Sequence, residues 1–171
     1  GNPGTEISLT MERNGKETDY PLKREKIIVP PVPYYGMIDS KTGYIRFTNF
    51  TQNCIDDVKT ALNSLKNNNV QQIILDLRGN PGGLLTEAVE IVNLFVAEGN
   101  EVVSTKGKVK QFDENFKTTK QPVDEKIPLA IIINRGSASA SEIVAGALQD
   151  LDRGVIVGQR SYGKGLVQIT R

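Results

Sequence analysis

The sequence predicts an α/β domain built on a largely parallel sheet. Three observations carry that prediction. Two short apolar runs, Ile73–Leu77 (IILDL) and Pro128–Ile133 (PLAIII), are strand-length and suited to burial. Amphipathic segments of helical length alternate with them, and glycine-rich turns follow directly on the runs. With 171 residues, 38% hydrophobic and 24% charged, the chain suits one packed core and excludes a solvated disordered tail.

Taken in order, residues 5–13 alternate Ile7, Leu9 and Met11 against polar neighbours, which predicts a half-buried strand. Asn14-Gly15 is a strong hairpin signal, and Tyr20–Ile28 is the expected return strand. A lone hairpin is marginal in water, so this segment is expected to need further packing. Pro30, Pro31 and Pro33 break regular structure and mark a boundary. Gly43–Phe47 reads as a strand, and Asn53–Asn67 as a helix with Ile55, Val58, Leu62 and Leu65 on one side. After Ile73–Leu77 come the turn Arg78–Gly83, a helix over Leu84–Ala97 and a short strand at Glu101–Ser104. Residues 105–126 are polar and lysine-rich without apolar periodicity, which predicts a mobile surface loop. Pro128–Ile133 (strand), Gly136–Ser139 (turn), Ala140–Leu151 (helix) and Gly154–Val157 (strand) follow. The glycine-rich loop Gly158–Gly165 and a strand at Leu166–Thr170 complete the chain.

Composition narrows the chemistry. Lys and Arg number 21 against 20 Asp and Glu, so no basic excess points to nucleic acid. Histidine is absent, which removes Ser-His-Asp and Cys-His catalysis and every His-ligated metal site. The single cysteine, Cys54, excludes an intrachain disulfide. No apolar run approaches the ~18–20 residues of a membrane span. The first residues also lack the basic start and apolar stretch of a signal peptide. An enzyme of this composition must take its base from Lys, Asp, Glu or Tyr.

Three turns could hold chemistry. In Gly136-Ser-Ala-Ser-Ala-Ser-Glu142, Ser139 and Glu142 have the spacing of a capping box, which would make Ser139 a helix cap. The same geometry exposes a hydroxyl at the carboxyl edge of a sheet beside outward-pointing amides, as a nucleophile requires. Arg78-Gly-Asn-Pro-Gly-Gly83 has more glycine than a tight turn needs, consistent with a backbone that must approach a ligand. Gly158–Gly165 nearly matches the phosphate-loop pattern. It has Gly165 where a hydroxyl is required, however, and a strand-like continuation in place of a helix, so a nucleotide site is disfavoured. Without histidine, Ser139 and Lys164 form a permitted pair: a desolvated lysine loses its proton more readily and can then deprotonate a serine.

Together these residues resemble the carboxyl-terminal processing, or tail-specific, proteases. YIRFTNF, IILDLRGNPGG, INRGSASASEIVAGALQD and VGQRSYGKGLVQ occur in that family's order and at similar intervals. The resemblance implies a Ser/Lys endopeptidase on a crotonase-like (Clp-protease-like) β/α superhelix, preceded by a PDZ domain and located in the periplasm or cell envelope. Residues 1–29 would be the last strands of the PDZ-like domain, and 30–171 the protease core. Upstream PDZ elements and further strands past Arg171 would complete the protein. Carried over by position, Ser139 is the nucleophile, Lys164 the general base and Gln168 the residue that orients the lysine. Ala140, with Gly82 or Gly83, would supply the oxyanion-hole amides. No metal or organic cofactor is implied, and the partner is a polypeptide tail. Oligomeric state is left open. A non-catalytic peptide-binding piece, with Ser139 only a cap, is the alternative.

Two distances bear on these roles. A regular strand would separate Lys164 from Gln168 by ~13 Å, so contact between them needs a kink. Asp150 shares a helix face with Ser139 but lies ~16 Å along it, which makes it structural.

Overall fold

Asn14 and Gly15 both take positive φ (55° and 75°), the geometry a two-residue hairpin turn demands. The computed structural model describes residues 1–27 and 29–166, and the chain divides into two units, Gly1–Pro30 and Pro31–Arg171. In the first, β1 (Glu6–Arg13) pairs antiparallel with β2 (Lys16–Lys23), from Glu6 opposite Lys23 to Arg13 opposite Lys16. The return strand thus starts directly after the turn and ends earlier than the sequence reading placed it. Leu9, Met11, Tyr20 and Leu22 are exposed rather than half-buried, because a two-stranded ribbon has no second layer of its own to cover them.

Among the described residues, the second unit is built on a five-stranded mixed sheet. Its strands are β3 (Tyr34–Met37), β4 (Thr42–Arg46), β5 (Gln72–Asp76), β8 (Leu129–Ile133) and β9 (Val155–Gly158), in that spatial order. Only β3 runs antiparallel; the other four are parallel, so their carboxyl ends share one edge. Connections between parallel strands need crossovers, supplied by α1 (Cys54–Asn67), α2 (Leu85–Asn93) and α3 (Ala140–Asp150), with α2 packed against both other helices. A separate ribbon, β6 (Glu101–Thr105) with β7 (Glu114–Lys117), follows α2.

One core joins sheet and helices. Ile45, Leu75 and Ile131 from the strands meet Leu62, Ile91 and Leu148 from the helices, all fully buried. The other face of the sheet is less covered: Ile74, Ala130 and Ile132 are only half-buried, where the sequence reading expected a strand buried on both sides. The α1 start is braced from α2. The Glu87 carboxylate accepts the amides of Asn53 (2.9 Å) and Ile55 (3.3 Å), a charge suited to a helix N-terminus.

Three segments depart from the sequence reading. Strand β3 falls among residues left unassigned after the proline break. Residues 105–126 hold β7 and a 3₁₀ turn at Lys110–Phe112. Helix α2 ends at Asn93, whose side chain accepts the amides of Thr119 (2.8 Å) and Lys120 (2.9 Å) and donates to the Lys120 carbonyl (2.7 Å). The strand expected over Leu166–Thr170 lies, past Leu166, outside the described residues.

Candidate functional site at the carboxyl edge of the sheet

Strands β5, β8 and β9 are neighbours, so the three turns singled out in the sequence leave the same edge side by side. In the first turn, Asn80 is fully buried and holds two segments together. Its Nδ2 donates to the Phe47 carbonyl (3.0 Å) and its Oδ1 accepts the Gly82 amide (2.9 Å). Its own carbonyl accepts the Ala138 amide (3.1 Å) and the Ser141 hydroxyl (2.9 Å) from the second turn. Gly82, at φ 94°, lies so close to that turn that an added Cβ would sit 2.8 Å from the Ala140 nitrogen. The Gly82 amide is therefore spent on Asn80, whereas the Gly83 amide has no partner among the described residues.

The serines of the second turn divide by burial. Ser137 is buried and donates to the Leu77 carbonyl (2.8 Å) while accepting the Asn134 amide (3.0 Å). Ser141 is buried and bound to Asn80. Ser139 is half-buried at the head of α3, with φ 55° and ψ −116°, a conformation costly for a residue with a Cβ. Its hydroxyl stands in the capping-box position over the Glu142 amide without making a cap hydrogen bond. That amide donates instead to the Ser139 carbonyl at 2.8 Å. Ala140, next in the chain, is the first helical residue and is fully buried.

The third turn docks on the second through Glu142. Its Oε2 accepts the amides of Ser139 (2.8 Å) and Lys164 (3.0 Å). Its Oε1 accepts the Ser161 hydroxyl (2.7 Å) and the Gly163 amide (2.6 Å). Sharing one oxygen puts the main-chain nitrogens of Ser139 and Lys164 within about 6 Å of each other. Burial pushes the Glu142 carboxyl up, but the donors from Ser161, Lys164, Gly163 and Ser139 outweigh it and hold the group below its ordinary value. Tyr162 adds a main-chain bond to the Ser137 carbonyl (2.9 Å). Lys164 is half-buried, and among the described residues its ammonium makes no ion pair. Gln168 lies outside the described residues. Asp150 ends α3 and is exposed.

Beside these turns the edge carries a charged cluster that the sequence reading did not single out. Asp76, fully buried, accepts the Tyr44 hydroxyl (2.5 Å), Arg46 Nη1 (2.9 Å), Arg78 Nη2 (2.6 Å) and the Arg78 amide (2.9 Å). Burial raises this carboxyl, but Arg78, Tyr44 and Arg46 together hold it well below the usual range. The signal was a lone carboxylate inside the apolar run IILDL with an arginine two residues on. The Glu142 anchor was visible only as half of a capping box.

The fold and the edge define an α/β protein with a mixed central sheet whose polar site gathers where parallel strands end. The chain belongs to peptidase family S41, whose model matches residues 41–171. A probable CtpA-like serine protease of Staphylococcus epidermidis is 39% identical over the whole of this chain and 34% of its own length. A Staphylococcus aureus protein of the same description is also 39% identical, with the same coverage. The chain thus spans about a third of the curated relatives it matches. Among solved structures, the photosystem II D1 C-terminal processing protease superposes with TM-score 0.73 at 28% identity, covering 99% of this chain and 47% of that one. A putative S41 protease from Bacteroides fragilis, at 17% identity and TM-score 0.70, covers 92% of this chain and 47% of its own and shares the fold.

Proposed function

We propose that this chain carries the core of a serine endopeptidase that cuts polypeptides near their carboxyl terminus, with Ser139 as nucleophile and Lys164 as general base. The observation that carries this reading is the meeting of the Ser139 and Lys164 amides on one Glu142 oxygen, which brings together two turns that are remote in sequence. It is supported by the division of the serines, since Ser137 and Ser141 donate their hydroxyls to carbonyls, while the Ser139 hydroxyl, in a strained turn, donates to no group among the described residues.

The chemistry follows from these positions. The Ser139 Oγ attacks the scissile carbonyl carbon as its proton passes to the uncharged Lys164 amine. The resulting oxyanion accepts hydrogen bonds from the main-chain amides of Ala140 and, of the two glycines, Gly83, because the Gly82 amide already serves Asn80. Collapse expels the new amino terminus, which takes the proton from Lys164 and leaves an acyl-enzyme. Water, deprotonated by the same amine, then releases the shortened substrate. In this scheme Gln168 orients the lysine and no cofactor takes part. The substrate is an extended tail paired along the sheet edge. Residues 1–29 serve as the last strands of a PDZ-like domain ahead of a crotonase-like core (30–171), in a protein of the periplasm or cell envelope.

The test uses the full-length protein, a fluorophosphonate probe and an unfolded polypeptide substrate. Wild type should label and cleave near the substrate's carboxyl end, whereas Ser139→Ala and Lys164→Ala should do neither while keeping a wild-type circular dichroism spectrum. Cleavage retained in either variant discards the pair. A wild type inert to the probe favours a peptide-binding piece in which Ser139 is a cap.

A further inference from the structure

We infer that Ser161 is a positioning residue, whose hydroxyl bond to Glu142 latches the loop bearing Lys164 onto the turn bearing Ser139; this rests on the Ser139–Lys164 reading. A carboxylate offers about four acceptor directions. Glu142 fills them with one amide from its own helix cap and three donors from the loop. Two of the loop donors, at Gly163 and Lys164, are main-chain amides that no replacement short of proline can delete. Ser161 supplies the third and, among the described residues, is the only loop side chain in the latch. It is half-buried, while Arg160, Tyr162 and Gly163 on either side are exposed.

Glycines flank the lysine at 163 and 165, both at positive φ (82° and 50°), so its backbone has little stiffness of its own. Its placement then depends on what holds the loop down. The other fastenings, from the Gly163 and Lys164 amides to Glu142 and from the Tyr162 amide to the Ser137 carbonyl, keep the loop seated, and the Ser161 bond is the side-chain share of that hold. Loss of the Ser161 bond should loosen the seating of the base against the nucleophile, while the main-chain bonds keep the loop folded.

Glu142→Gln would also disturb the cap of α3, so Ser161→Ala carries the test, with Ser161→Thr as rescue. In the full-length protein, Ser161→Ala should lower fluorophosphonate labelling of Ser139 and kcat on an unfolded polypeptide by roughly tenfold or more, the scale of a hydrogen bond to a charged group. KM and Tm should stay close to wild type, and Ser161→Thr should restore both rates. Wild-type labelling in Ser161→Ala, or an equal loss in Ser161→Thr, overturns the assignment. Wild-type labelling in Lys164→Ala or Ser139→Ala would instead overturn the underlying reading, whatever Ser161 does.

Discussion

Gly82 leaves no room for a side chain beside Ser139: a Cβ on Gly82 would fall 2.8 Å from the Ser139 Cβ and 2.6 Å from the Ala138 carbonyl oxygen. The glycine turn after β5 thus forms one wall of the serine turn after β8. Gly82→Ala adds strain at φ 94° to that overlap. It should cost about 2 kcal/mol or more by chemical denaturation. Fluorophosphonate labelling should fall by a larger factor than stability alone explains, because the displaced atoms belong to the serine turn itself. A fully reactive, fully stable Gly82→Ala protein would show that the two turns can part without consequence.

Asp76 makes stability depend on acid. Its carboxyl is held below its ordinary value in the folded chain, so it stabilises fully above the usual carboxylate range and the contribution fades as pH falls through the folded value. Asp76→Asn keeps the shape but loses the charge-assisted bonds from Arg46 and Arg78. Both arginines are partly exposed, so the cost near neutral pH should be roughly 2 kcal/mol rather than that of a fully buried pair. Thermal unfolding from pH 7 to pH 3 should show the wild-type advantage shrinking towards the variant. A gap constant across that range would rule out the charge as its source.

Cys54 should be inert in the folded protein. It is 1% exposed, and its thiol donates to Glu87 Oε2 at 3.4 Å. Burial first, then the neighbouring carboxylate, pushes the thiol far above its ordinary value, so the thiolate that reacts is scarce at neutral pH. Titration with a chromogenic disulfide should find no reactive thiol in buffer and one in guanidinium. Rapid reaction in buffer would mean that the α1 start opens readily.

What the sequence revealed follows how local each cause is. Helix α1 begins one residue from its expected start because spacing and turn residues decide it locally. Helix α2 stops short of Ala97 because Asn93 is claimed by amides more than twenty residues away, which no helical pattern encodes. Strand β7 (ENFK) has no apolar alternation to announce it, because only pairing with its partner β6 holds it extended. In the site, each turn was legible from its own glycines and serines. Asn80 and Glu142 were not, since an asparagine in a turn and a glutamate in a capping box satisfy local rules before their distant partners are known.

The backbone at Ser139 carries a thermodynamic penalty that glycine would escape. Ser139→Gly would relax the turn and raise the melting point even as the hydroxyl disappeared. Selection for heat tolerance alone would discard the serine; under the function proposed above, its presence trades durability for reactivity.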